Sequence, residues 1–127
     1  MGEAFHNLTP IYIQLAERIN RQIVRQDLKP GDKLPSVREM AIQVGINPNT
    51  VQRTYRELEL MGIVETRRGQ GTFVTENKQV LEKLREMMKE SRIESFVREM
   101  SEMGYSAEEM MEGLNRYLRR KKGGNKE

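Results

Sequence analysis

A helix stop and a helix start lie almost side by side in this chain of 127 residues. Gly45 follows a short amphipathic segment and suits the left-handed position after a helix. Asn47 and Pro48 are a typical cap and first residue of the next helix. Only Ile46 separates the two signals. Two helices joined by so short a turn are typical of a helix-turn-helix.

Residues 11–26 predict a helix that precedes this pair. Thr9 can cap the helix, and Pro10 suits its first position. Apolar residues then recur at every fourth position, which indicates one buried face. They are Ile11, Leu15, Ile19 and Ile23. The Lys-Pro-Gly-Asp sequence at 29–32 predicts a turn that ends the helix.

The two helices of the helix-turn-helix have clear boundaries. Ser36 and Glu39 have the spacing of a capping box, which predicts a helix over residues 37–44. The third helix is predicted to run from Pro48 to about Met61. Its buried face carries Val51, Tyr55 and Leu58.

A small β-hairpin is predicted after the third helix. β-branched and aromatic residues at 63–66 and 72–74 flank a polar tip at 67–71, Arg-Arg-Gly-Gln-Gly. Because a lone hairpin is only marginally stable, it should pack on the helices. The predicted fold is mainly α with a small β-hairpin, in which residues 9–75 form a winged helix-turn-helix.

Residues 76–122 predict a short helical tail. Gly104 interrupts it, and Ser106 with Glu109 forms another capping box. Residues 123–127 are predicted to be disordered. Two helices cannot close a core alone, so we expect the tail to form a homodimer. The expected interface residues are Leu84, Met88, Ile93, Phe96, Val97, Met100, Met110, Leu114 and Tyr117. The alternatives are helices folded back on their own winged domain, or a hydrophobic effector pocket.

Composition excludes several classes of function. The chain has no cysteine, so thiolate catalysis and cysteine-ligated zinc are excluded. The single histidine, His6, is expected to be solvated, and we expect no enzymatic activity, cofactor or metal. No stretch approaches the ~18 apolar residues that a membrane span requires. The N-terminus lacks the features of a secretory signal, so a cytoplasmic location is expected.

Polar side chains in the first turns of the third helix are candidates for contact with DNA bases. They are Asn49, Thr50, Gln52, Arg53 and Arg56. An α-helix fits the major groove, where Asn and Gln pair with adenine and Arg pairs with guanine. The same pattern also fits a solvated helix face.

Cationic residues outside the third helix are candidates for contact with phosphates. Arg38 lies one turn into the second helix, which crosses the DNA backbone in a helix-turn-helix. An ion pair with Glu39 or Asp32 is the alternative. The hairpin tip suits the minor groove or its flanking phosphates, although a solvated turn is also compatible. Its members are Arg67, Arg68, Gly69, Gln70 and Gly71.

Taken in order, these segments resemble the DNA-binding module of the GntR family of bacterial regulators. The resemblance lies in IYIQLAERINRQIVRQDLKPGDKLPSVREMA, INPNTVQRTYRELELMGIV and ETRRGQGTFV, and it covers about residues 9–75. It implies DNA contact at Ser36, Arg38, Asn47, Asn49, Thr50, Gln52, Arg53, Arg68, Gly69 and Gly71. Lys33 and Thr72 are weaker candidates.

The short tail is similar to that of the YtrA subfamily, whose two-helix tail serves dimerisation. The resemblance implies a sequence-specific repressor that binds a pseudo-palindromic operator in double-stranded DNA as a homodimer. It also implies an operon of the protein's own, often one that encodes a membrane transporter. A winged-helix adaptor that binds proteins without reading DNA is the alternative function. Neither reading identifies a small-molecule effector.

Overall fold

The structure is a computed structural model that describes Phe5 and residues 8–124. His6, which is expected to be solvated, and residues 125–127 lie outside the described part. The elements are α1 (Ile11–Val24), α2 (Val37–Val44), α3 (Pro48–Leu60), β1 (Val64–Arg67), β2 (Gly71–Val74), α4 (Lys78–Glu102) and α5 (Ala107–Gly124). This order confirms the predicted class, mainly α with a small hairpin. The chain divides into two compact units, with the boundary after Arg85, inside α4.

The start of α1 differs from the prediction by one residue. Pro10 is the N-cap, with φ −53° and ψ 142°, and no side chain caps the helix. The prediction of Thr9 as the cap and Pro10 as the first helical residue is therefore wrong. Instead, the Thr9 carbonyl accepts a hydrogen bond of 2.6 Å from Nε2 of Gln14. Ile11, the first residue of the predicted apolar stripe, is exposed.

The end of α1 comes before the predicted turn residues. The helix stops at Val24, and Gln26 has a left-handed φ of 71°. The amides of Asp27 and Leu28 then both donate to the carbonyl of Gln22, at 2.8 and 3.0 Å. These bonds satisfy the carbonyl oxygen of Gln22, which has no partner within the helix. The backbone reversal therefore begins at Gln26, earlier than the Pro30-Gly31 turn suggests.

The caps predicted for α2 and α3 are confirmed. Oγ of Ser36 accepts from the Glu39 amide at 3.1 Å, and Oε1 of Glu39 accepts from the Ser36 amide at 2.9 Å. Gly45 ends α2 with φ 71°. Oδ1 of Asn47 accepts from the Asn49 amide at 2.7 Å, and Pro48 occupies the first turn of α3.

The core of the first unit is built around α3. Its inner face packs against α1, α2 and β1. The buried residues of α3 are Val51, Thr54, Tyr55 and Leu58, and those of α1 are Leu15, Ile19 and Ile23. Two side-chain hydrogen bonds fix α3 in place. Oγ1 of Thr54 donates to the Tyr12 carbonyl at 3.0 Å, and the hydroxyl of Tyr55 donates to the Pro35 carbonyl at 2.7 Å.

The first strand of the hairpin is shifted by one residue, the second is one residue longer, and the tip is shorter than predicted. β1 and β2 pair antiparallel from Val64 with Val74 to Arg67 with Gly71, so the tip contains three residues, 68–70. Residues 31–34 pair with the other edge of β2, although the sequence predicts only a turn there. The amide of Leu34 donates to the Thr72 carbonyl, and that of Val74 donates to the Asp32 carbonyl, both at 2.8 Å. The α1–α2 connection therefore holds the wing.

The first turns of α4 belong to the winged unit. Leu84 is only 4% exposed, and Nη1 of Arg85 donates to the Val24 carbonyl at 3.3 Å. The compact unit therefore extends beyond residue 75, where the sequence predicts its end. Leu84 is thus buried in a single chain, and its role as a dimer contact stays a prediction.

The second unit contains the rest of α4 and all of α5. Between them, Ser106 and Glu109 form the predicted capping box, with bonds of 2.8 and 3.1 Å. α5 continues to Gly124 and so includes the first residues of the segment predicted to be disordered, 123–127. Within this unit only Met110 is a buried apolar residue among those described. Among the described helices, none is long and apolar enough to cross a membrane.

Candidate nucleic-acid interface

The outer face of α3 carries the candidate base-reading side chains. Asn49, Gln52 and Arg53 are exposed, and Thr50 is half-buried. They lie there because the opposite face of α3 is committed to the core. The first turn of a helix also presents partial positive charge and free N–H groups, which favour a phosphate. The structure therefore brings the α3 candidates together at one end of the helix.

Arg53 has a defined contact within this group. Its guanidinium carbon lies 3.8 Å from the centroid of the Tyr12 ring of α1, in a cation–π arrangement. Tyr12, which adjoins the apolar stripe of α1, has no role predicted from the sequence. An aromatic residue next to such a stripe was the available signal, but the sequence does not say which cation it meets.

The start of α2 presents a second group of exposed residues, Ser36 and Arg38. The capping box leaves the Ser36 hydroxyl hydrogen free to donate, because its oxygen acts as the acceptor for Glu39. The carboxylate of Glu39 bonds the Ser36 amide, and that of Asp32 bonds the Lys29 amide at 2.8 Å. Among the described residues, neither carboxylate forms an ion pair with Arg38. The ion pair that was the alternative to a phosphate contact is therefore not found.

Arg67 lies on β1, so its prediction as a residue of the hairpin tip is wrong. Its guanidinium carbon lies 4.1 Å from the centroid of the Phe73 ring. Its Nε lies 3.8 Å from Oε1 of Glu65. Phe73 lies diagonally across the strand pair from Arg67, whereas Glu65 lies two residues before it on the same strand.

The tip itself consists of exposed residues, Arg68, Gly69 and Gln70. Gly69 has φ 76°, a left-handed conformation that favours glycine. The Gln70 amide donates to the Arg67 carbonyl at 2.8 Å and closes the turn. Arg68 is therefore the cation that the tip presents.

Lys33 lies closer to the wing than the sequence suggests. Its Cε is 2.7 Å from the position that a Cβ on Gly71 would occupy, and Gly71 has φ 124°. The left-handed backbone conformation favours glycine here, and a Cβ would also displace the flexible end of the Lys33 side chain. Lys33 also pairs with Phe73 in a β-bridge, so its exposed cation lies at the base of the wing.

Tyr55 links α3 to the start of α2. Burial raises the pKa of its hydroxyl above the usual value, and the nearby negative charge of Glu39 raises that pKa further. Tyr55 therefore stays protonated and donates its hydrogen bond to the Pro35 carbonyl. This bond sets the position of Ser36 and Arg38 relative to α3.

In the described part of the chain, no group of three or more acidic or histidine side chains could hold a metal ion.

Sequence comparisons agree with this geometry. The family described as bacterial regulatory proteins, gntR family, matches residues 11–74. The chain is 51% identical to the HTH-type transcriptional regulator YhcF of Bacillus subtilis (strain 168) over 117 residues, which cover 92% of this chain and 97% of YhcF. It is 39% identical to the HTH-type transcriptional repressor YtrA of the same organism over 119 residues, or 93% of this chain and 92% of YtrA.

Solved structures give the same result. A GntR family transcriptional regulator from Listeria monocytogenes has a TM-score of 0.83 and 38% identity, covering 88% of this chain and 98% of its own. AraR(DBD) in complex with operator ORX1 has a TM-score of 0.52 and 28% identity, covering 59% and 90%. These likenesses agree with the arrangement of α3 and the wing. They show that the chain belongs to the GntR family of helix-turn-helix transcriptional regulators, which bind DNA and are not enzymes.

Proposed function

We propose that the protein is a homodimeric repressor that reads a pseudo-palindromic operator in double-stranded DNA. The observation that carries the proposal is the exposure of Gln52 and Arg53 on α3 together with Arg68 on the wing, all within one compact unit. A helix in the major groove and a wing along the backbone require these surfaces to be free. The adaptor alternative requires an apolar or acidic wing, and Arg68 opposes it.

The contacts divide by the part of DNA that they suit. Asn49, Gln52 and Arg53 carry the donors and acceptors that distinguish base edges in the major groove. Ser36, Arg38 and Lys33 suit phosphates, which position the protein without reading sequence. Arg68 at the tip suits the negative potential of a minor groove.

Exposed apolar side chains of the second unit support the homodimer. Phe96, Val97 and Leu114 are 38%, 41% and 47% exposed, and they line a cavity of about 540 Å³. A monomer rarely leaves so many large apolar groups in water. Ile93 and Tyr117 extend the same exposed set. Two copies joined here carry two α3 helices, which requires two half-sites in the DNA.

The relatives support repression. YtrA, whose sequence aligns with most of this chain, is named a repressor. The similarity of the tail to that of the YtrA subfamily further suggests an operator in the promoter of the protein's own operon, with transporter genes in that operon as the first targets to examine. Since the partner is chromosomal DNA, the protein would act in the cytoplasm.

Selection of bound sequences from random duplex DNA tests the proposal. We expect an inverted repeat whose half-site centres lie about one helical turn, or a multiple of it, apart. Sedimentation of the complex should give two chains for each duplex, and the logarithm of affinity should fall linearly with that of salt. A selection that enriches no sequence would contradict the proposal and favour the adaptor. If the protein selects a sequence but does not lower transcription, the proposed repression is contradicted and the proposed DNA binding is not.

A further inference from the structure

Tyr12 of α1 lies outside the helix-turn-helix but contacts α3 twice. Its ring centroid is 3.8 Å from the guanidinium carbon of Arg53. Its carbonyl accepts a hydrogen bond of 3.0 Å from Oγ1 of Thr54. Two successive residues of α3 therefore hold the side chain and the backbone of one residue of α1. We propose that Tyr12 is a positioning residue that orients the Arg53 guanidinium for contact with a base. This inference rests on the proposed function, in which Arg53 contacts DNA.

Stacking on Tyr12 leaves the donors of Arg53 free. A guanidinium carbon 3.8 Å from a ring centroid is close enough for the guanidinium plane to stack on the ring face. The five N–H donors of the guanidinium lie in that plane and point away from its centre. Arg53 is exposed in spite of the stack, so its N–H edge remains open to solvent. That edge is the part of arginine that bonds O6 and N7 of guanine.

Acidic side chains do not compete for those donors. Among the described residues, no carboxylate lies within ion-pair distance of Arg53. Arg67 differs in this respect, because its Nε faces Glu65 at 3.8 Å. The Tyr12 ring therefore restrains the Arg53 guanidinium without occupying the groups that would read a base.

Thr54 ties the backbone of Tyr12 to α3. Thr54 is fully buried, and its hydroxyl lies within hydrogen-bond distance of both the Tyr12 carbonyl and the Thr50 carbonyl, the latter at 3.1 Å. The backbone from which the ring extends is thus held against the first turns of α3. A side chain that is already ordered loses less rotamer freedom when it binds. It also has less freedom to turn from a base to a phosphate, so the restraint favours discrimination between bases.

The experiment uses the full chain, the duplex selected by the wild-type protein and all single-base variants of that duplex. Affinities are measured by fluorescence anisotropy for the wild type, Tyr12→Leu, Tyr12→Phe, Arg53→Ala and the Tyr12→Leu/Arg53→Ala double variant. Positions at which Arg53→Ala lowers discrimination define the bases that depend on Arg53. At those positions we expect Tyr12→Leu to lower discrimination by roughly 2- to 10-fold.

Two controls separate positioning from a general effect on the fold. Tyr12→Phe keeps the aromatic ring, so discrimination should stay within about twofold of the wild type. In the Arg53→Ala background, Tyr12→Leu should have no further effect on discrimination, because the group that it orients is gone. Thermal unfolding of each variant shows whether it is folded. If Tyr12→Leu is not folded, Tyr12→Met carries the same expectation, because it also removes the ring but keeps a long apolar chain.

Three results would overturn the inference. In the first, Tyr12→Leu weakens binding to all duplexes equally. In the second, Tyr12→Leu lowers discrimination as much in the Arg53→Ala background as in the wild type. In the third, Arg53→Ala changes discrimination at no base. In each of these cases a selected sequence still exists, so the proposed function stands. A wild-type protein that selects no sequence overturns both proposals together.

Discussion

The two compact units bury their apolar side chains in different ways. Of the fourteen buried apolar residues in the described chain, thirteen lie before the unit boundary and only Met110 lies after it. The winged unit packs α1, α2 and β1 around α3 and closes its own core. The second unit has two helices and leaves Phe96, Leu114 and others exposed. A pair of helices has one shared face, so further apolar residues need another surface to cover them.

Stability and assembly are therefore expected to be separate properties of this chain. The first unit should stay folded whatever its oligomeric state, because its core is internal. The second should depend on a partner copy, because most of its apolar surface faces outward.

Removal of a core side chain should affect folding of the winged unit most strongly. Leu58 is 1% exposed on the inner face of α3. Leu58→Ala should lower the free energy of unfolding by about 3 kcal/mol, because it removes apolar contacts and leaves a cavity. The measurement is urea denaturation followed by circular dichroism. Leu60→Ala is the matched control, since Leu60 ends the same helix at 76% exposure, and it should cost less than about 0.5 kcal/mol. Equal losses would contradict an internal core.

A charge on the apolar surface of the second unit should affect assembly but not the winged core. Phe96→Glu should give a monomer in sedimentation, because a dimer would bury the carboxylate. Affinity for the selected duplex should fall about 100-fold, because the two winged units would no longer bind as one molecule. The thermal unfolding of the winged unit should not change.

Ser91→Glu is the matched control for Phe96→Glu. Ser91 is an exposed polar residue of the same helix, and it does not belong to the apolar surface. This variant should remain a dimer with wild-type affinity. A dimeric Phe96→Glu protein would show that the second unit uses another surface.

Loss of the Tyr55 hydroxyl should affect stability moderately. Tyr55→Phe removes the bond to the Pro35 carbonyl and should cost about 1 kcal/mol at neutral pH. The pKa of Tyr55 is raised in the folded state, so the unfolded chain loses this proton first as the pH rises. The contribution of this hydrogen bond to stability is complete below about pH 10, which is the pKa of tyrosine in the unfolded chain, and it is lost as the pH rises above that value. The free energies of wild type and Tyr55→Phe, measured in urea at pH 8 and pH 10.5, should therefore converge at the higher pH. A constant difference would contradict the burial of this hydroxyl.

The smallest effect is expected at the tip of the wing. Arg68→Ala should weaken binding to selected and random duplexes alike, by about threefold, because an exposed cation near a phosphate contributes little. The slope of log affinity against log salt should become about one unit shallower. Arg67→Ala is the comparison, since Arg67 contacts Phe73 and Glu65, and it should change the slope by less. If Arg67→Ala changed the slope more than Arg68→Ala, Arg67 would be the residue of the wing that contacts DNA.

Local signals in the sequence predicted much of the fold. The caps at Ser36, Asn47 and Ser106 act through atoms within three residues, so their spacing alone specifies them. The outer face of α3 could be predicted for a similar reason, because the buried face follows from helical periodicity. The candidate base-reading residues on α3 are exposed as that pattern indicates, and their contacts with DNA remain predictions.

Some differences arose where contacts join distant parts of the chain, whereas the Thr9 cap is a local error. The pairing of residues 31–34 with β2 depends on how the wing meets the α1–α2 connection, and no local pattern records it. Leu84 fits the apolar stripe of the tail, yet it is buried and belongs to the first unit. Arg67 looks like a tip residue until the strand register is known.

The family, the order of the elements and the helix boundaries near the caps could be predicted from the sequence, because short-range hydrogen bonds and periodic burial produce them. Only the tertiary structure shows what three cations of the winged unit contact. Arg53 stacks on Tyr12, Arg67 stacks on Phe73, and Lys33 crosses Gly71. Each of these contacts joins residues from different elements, and its geometry exists only once the core has set the distance between them.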